Sequence, residues 1–116
     1  MKLIDLLEDE ISDLEKVTKD PFAIKHIKNP SLEVQLAAVR QDGYAVHYID
    51  NPSLEMQLAA VRQSGLAIRF IENPSLEVQY IAIRKDPGLF FKIKNPHRKA
   101  IYFYELLTDE YRFNKQ

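Results

Sequence analysis

NPSLEVQLAAVRQDGYAVHYID, residues 29–50, decides how the chain folds, because it is written three times. It returns as NPSLEMQLAAVRQSGLAIRFIE at 51–72 and, more loosely, as NPSLEVQYIAIRKDPGLFFKIK at 73–94, each time after 22 residues and without a gap. A fixed period of this kind marks a repeat array. Each unit carries signals for two helices. Pro30 biases Asn29 toward an extended conformation and ends the preceding element. Ser31 offers its hydroxyl to first-turn amides, and Glu33 sits where negative charge suits the helix dipole. Leu32, Leu36 and Val39 share one helical face, so a first helix is predicted from Leu32 to Gln41 with that face inward. Leu58, in the Leu36 column, is expected to be buried with it. Gly43 fits the left-handed position that ends many helices. Asp42 then caps a shorter helix carrying Ala45, Val46 and Ile49 inward. That capping column reads Asp20, Asp42, Ser64, Asp86 and Thr108, all good N-caps. A helix of about seven residues is unstable alone. The units must therefore stack, and the predicted fold is all-α: a right-handed α-solenoid of five two-helix repeats with degenerate end caps.

The 116 residues form one domain, with units at 7–28, 29–50, 51–72, 73–94 and 95–116. A hydrophobic fraction of 46% is ordinary for a globular chain. The chain has no cysteine, which excludes disulfides, thiolate metal sites and cysteine nucleophiles. A reducing, cytoplasmic setting is the expectation. The N-terminal MKLIDLLEDEISDLE is acidic where a secretory signal is basic, so no signal peptide is predicted. No apolar run reaches the length of a membrane span. A net charge of −1 argues against general nucleic-acid binding.

The end units depart from the pattern. Ile4, Leu7, Ile11 and Leu14 make one apolar stripe among acidic neighbours, which reads as an end cap, apolar inside and wet outside; an acidic docking helix is the alternative. The last unit holds Tyr102, Phe103, Tyr104, Leu106, Leu107, Tyr111 and Phe113 around its helix. Such an end either packs its rings inward or is covered by a partner, a second copy of the chain included. Six basic and one acidic residue lie between Arg84 and Lys99, and six acidic and two basic between Met1 and Lys16.

Three ladders run along the array. Gln35, Gln57 and Gln79 fall among apolar columns, so their amides are expected to bond neighbouring helices or loop carbonyls. Arg40, Arg62 and Arg84 fall near Glu33, Glu55 and Glu77. They read either as a solvated stripe of inter-repeat ion pairs or as an alternative binding ladder for phosphate or carboxylate. The most varied columns pair Lys25 with His26, His47 with Tyr48, Arg69 with Phe70 and Phe91 with Lys92. Arginine and aromatic rings are the usual anchors of protein interfaces. Tyr48, Arg69, Phe70 and Phe91, extended by Tyr104 and Tyr111, are therefore the candidate partner-binding face; half-buried packing residues are the alternative. The histidines His26, His47 and His97 lack metal-ligand spacing. The three glycines follow the repeat rather than a phosphate-binding motif. No catalytic, cofactor or metal site is predicted, and the chain is read as non-enzymatic.

The segment N-P-S-L-E-V-Q-L-A-A-V-R resembles short two-helix repeats of the leucine-rich-variant and HEAT-like kind. With A-V-R-Q-x-G-x-A it is similar to uncharacterised repeats of bacterial and bacteriophage proteins. The resemblance covers residues 29–94 well and the end units weakly. It implies an α-solenoid that binds macromolecules. For a small member it implies a phage-encoded inhibitor that occupies the surface of a host protein, such as a nuclease or defence complex, in the host cytoplasm. Two other readings stand beside it: a nucleic-acid-binding solenoid using the arginine ladder and the basic C-terminal end, and a self-assembling structural phage component.

Overall fold

Each unit turns at two places, and each turn has a local cause. The computed structural model describes residues 2–114, with side chains through Asp109. Among these residues five α-helices alternate with four 3-10 helices. In order they are α1 (Leu3–Lys19), Pro21–His26, α2 (Leu32–Gln41), Gly43–Tyr48, α3 (Leu54–Gln63), Gly65–Phe70, α4 (Leu76–Lys85), Pro87–Lys92 and α5 (Arg98–Asn114). No strand occurs among the described residues.

The first turn follows each of the first four α-helices. Asp20, Asp42 and Asp86 accept a hydrogen bond from the amide two residues on, at 2.9–3.0 Å. The backbone then closes i→i+3 bonds, such as Ala45 N to Asp42 O and Ile49 N to Val46 O. The short second helix is therefore 3-10, and its six residues suit that tighter winding. Gly43 is not left-handed, contrary to expectation, since no glycine has positive φ. It is glycine because a Cβ there would collide with the Ala60 carbonyl of the next helix.

The second turn lies at Asn-Pro. Asn29, Asn51 and Asn95 have φ of 48–52°, so they are left-handed rather than extended. Asparagine is among the few residues that tolerate this region. The serine that follows Pro caps the next helix: Ser31 accepts from Val34 N and Ser53 from Met56 N. Ser75 makes no such bond, and its hydroxyl is buried without a partner. Ser53→Ala is therefore expected to cost about 0.5–2 kcal/mol, and Ser75→Ala clearly less. Thermal unfolding of the two variants orders them.

The last unit does not turn. Position 109 is Asp where the other units have Pro21, Gly43, Gly65 and Pro87. With neither a fixed ring nor a flexible residue after it, Thr108 does not cap a new helix. Its hydroxyl bonds the Tyr104 carbonyl, and α5 continues to Asn114.

The α-helices stack on one another in one row and the 3-10 helices in a second. Between the rows lie columns of small and branched side chains: Val34, Met56 and Val78; Ala38, Ala60 and Ala82; Val39, Val61 and Ile83; Val46 and Ile68. The inward face of α2 is thus Val34, Ala38 and Val39, whereas Leu32 is 51% exposed. Leu36 is buried, but Leu58 in the same column is only half-buried. The molecule measures 66 × 23 × 17 Å. Five helices about 10 Å apart would give roughly 40–50 Å. The terminal helices, 17 residues against ten in the centre, reach past the array.

Candidate interaction surface

The units are tied together by the glutamine column. Gln35, Gln57 and Gln79 each donate to the carbonyl of the proline five residues earlier, at 3.0–3.1 Å. Gln57 and Gln79 also accept, at 2.9 Å, from the backbone N–H of Ser75 and His97 in the next unit. One amide thus braces its own Asn-Pro turn and holds the following one. His97 occupies the serine column, and its Nδ1 accepts from Lys99 N at 3.0 Å. The imidazole does there what the hydroxyl does in earlier units, a role its sequence position reveals only once the column is aligned.

This bracing fixes the register of the 3-10 row, and with it the side chains at the ends of those helices. Tyr48 is 42% exposed, and its ring meets Phe22 of the preceding unit edge-on at 6.1 Å. His47 touches both Tyr48, at 5.0 Å, and Phe70 of the next unit, at 4.9 Å. Tyr44 packs edge-on against Phe70 at 5.4 Å. Cations lie over two of these rings: Lys25 Nζ is 5.7 Å from the centre of Tyr48, and the Arg69 guanidinium 5.2 Å from that of Phe70. Both are within the range of cation–π attraction. A ribbon of rings therefore crosses three units. Phe22 and Tyr44 complete it; the sequence reading missed them, although they occupy one column.

The ribbon does not run on unbroken. The next members of its columns are Leu66 and Lys92. A second cluster begins beyond them, where Phe90 stacks on Tyr104 at 4.4 Å and Phe91 meets both edge-on. Phe91 is 71% exposed. Tyr104 stands in the column of Ala38, Ala60 and Ala82, so its half-buried ring also closes the end of the core. The structure thus joins Tyr48, Arg69 and Phe70 in one group and Phe91 and Tyr104 in another. Tyr111 lies outside the residues whose side chains are described.

The arginine ladder lies on the α row. Arg40, Arg62 and Arg84 are exposed, and the expected pairs with Glu33, Glu55 and Glu77 do not form. Among the described residues the ion pairs within 4 Å are Lys16–Asp13 and Lys94–Glu72. Arg40 and Arg62 instead flank a shallow recess with Glu55, Leu58, Ala59 and Gln63. Exposed side chains of this length gain little from pairing in water. Among the described residues no cluster of three His, Asp or Glu side chains is placed to hold a metal ion, and no helix is long and apolar enough to cross a membrane.

No protein-family model, curated protein or solved structure matches the chain.

Proposed function

We propose that the chain is a non-enzymatic scaffold that binds another protein along its 3-10 row. The observation that carries this reading is the ribbon itself: exposed and half-exposed rings, with Arg69 and Lys25 over two of them, held across three successive units. Rings braced by neighbouring rings have less side-chain freedom to lose on docking, which lowers the cost of binding. Aromatic and arginine side chains are also the commonest interface anchors. A protein that inhibits its target by covering a surface, as the resemblance to phage repeat units implies, needs such a face and no catalytic group.

The test begins with capture of a partner from bacterial lysate. The affinity of the recovered protein is then measured for the wild type and for the double substitution Arg69→Ala, Phe70→Ala. Two anchors worth more than about 1 kcal/mol each imply binding weaker by a factor of at least about 25, with helix content unchanged. Unchanged affinity would move the site to the face of Arg40, Arg62 and Arg84.

That face supports a second reading, nucleic-acid binding, because among the described residues no carboxylate lies within 4 Å of its exposed guanidinium groups. The 84–99 stretch would extend it. Affinity that falls steeply with salt, in proportion to the number of phosphates contacted, would favour this second reading over docking on the ribbon.

A further inference from the structure

The two ends of the row are more apolar than its middle, at the positions that face outward. Hydrogen bonds and packing show which way each column points. The glutamine column reaches forward, since Gln57 and Gln79 bond the following unit. The arginine column borders the junction from both sides, because Arg40 reaches forward into a recess that it shares with Glu55, Leu58 and Arg62 of the next helix. The glutamate column reaches back into that same recess. In the last unit the two forward columns hold Ile101 and Leu106; in the first, the backward column holds Ile11. All three are exposed. So is Tyr102, in the column of Tyr80, whose ring packs on Phe103 of the next helix at 5.1 Å. Ile4 and Leu7 continue the Ile11 face along α1, and they too are exposed. The expected cap is thus inverted, because the α1 stripe faces solvent with only Leu14 and Val17 reaching the core. A free solenoid end requires a polar outer face. Here residues that are polar in the interior units become apolar at both ends.

We propose that the ends bind one another, so that the α5 face of one copy receives the α1 face of a second copy and the row continues across the junction. Charge disfavours the pairing of two α1 ends and suits the start of α5. Helix α1 carries six acidic residues against Lys16 and Lys19, while α5 opens on Arg98 and Lys99 and meets its first acidic residues, Glu105 and Asp109, only further along. Two α1 helices face to face would oppose acidic surfaces. Glu10 reaches forward and accepts from the Ser31 hydroxyl of the next unit at 2.8 Å; Arg98 stands in the Glu10 column and Asp9 in the Ser31 column, so the same register brings Arg98 against Asp9 of the second copy at the junction. Such a heterologous contact leaves a free end on every assembly and builds chains that grow beyond the dimer.

Sedimentation velocity of the full chain from micromolar to millimolar concentration tests this. Leu7→Glu with Ile11→Glu blocks the first end, and Ile101→Gln with Leu106→Arg blocks the last. Ile11→Glu, Ile101→Gln and Leu106→Arg place in an end column the residue type that interior units already carry there, and all four positions are exposed; circular dichroism checks that the helices persist. The wild type is expected to gain mass with concentration past the dimer. Each blocked variant alone should remain monomeric, and an equimolar mixture of the two should form a dimer and stop. A wild type that stays monomeric throughout would overturn the proposal. So would a dimer that survives blocking of one end, which would mean like ends pair, or a mixture that fails to associate.

Discussion

Ile68→Ala is expected to lower stability by about 2–5 kcal/mol, the range for truncating a buried isoleucine or leucine. At roughly 4 °C per kcal/mol for a chain of this size, the melting temperature should fall by about 8–20 °C. Ile68 is fully buried in the 3-10 helix of the central unit, between the two rows. Repeat units lean only on their neighbours, so a cavity there weakens contacts on both sides. Leu54→Ala is the matched control. Leu54 is 44% exposed at the start of α3, and its loss should stay within about 0.5 kcal/mol, as for most surface substitutions. Similar losses from the two variants would mean that the inward face is not the one described.

Gln79→Leu is expected to produce the second large effect. The side chain is buried, and it pairs both with the Pro74 carbonyl and with the His97 amide of the next unit. Leucine fills the space but leaves both backbone groups without that partner. Each such orphan costs about 1–3 kcal/mol. The equivalent Gln35→Leu, in the first strong unit, removes only the bond to Pro30 among those formed by the described residues, and should cost less. Amide hydrogen exchange locates the damage: in Gln79→Leu the His97 amide should exchange faster, while amides in α2 keep their protection. Uniform loss of protection along the chain would contradict this local role.

Much of this architecture is legible in the residues. The period gives the number of units, the Asp-Gly and Asp-Pro pairs place the first turn, and Ser31 and Ser53 cap where they are read to cap. The inward face of the α-helices is not legible in the same way. Leu32, Val34, Leu36, Ala37, Ala38 and Val39 surround most of a ten-residue helix, so two apolar stripes fit equally well. What decides is the closeness of the rows: Gly43 rests against the Ala60 backbone, and the alanine column is the one narrow enough to face it. The left-handed asparagines were hidden by the proline beside them, whose influence on its predecessor is only a bias. The length of α5 depended on one position, Asp109, whose significance appears once its column is compared with Pro and Gly in the others. For the candidate surface, the variable columns were readable as such. The grouping of rings was not, because Phe22 and Tyr44 meet Tyr48 and Phe70 only when adjacent units stack.

The central claim is that the units form a single row, each touching only its neighbours, instead of folding back into a globule. Small-angle X-ray scattering tests it most directly, on the Leu7→Glu, Ile11→Glu variant so that assembly does not contribute. The Cα radius of gyration is 17.3 Å, and scattering from the hydrated monomer should give that value or slightly more. A compact domain of 116 residues would give about 13 Å, and a result near that figure would contradict the row.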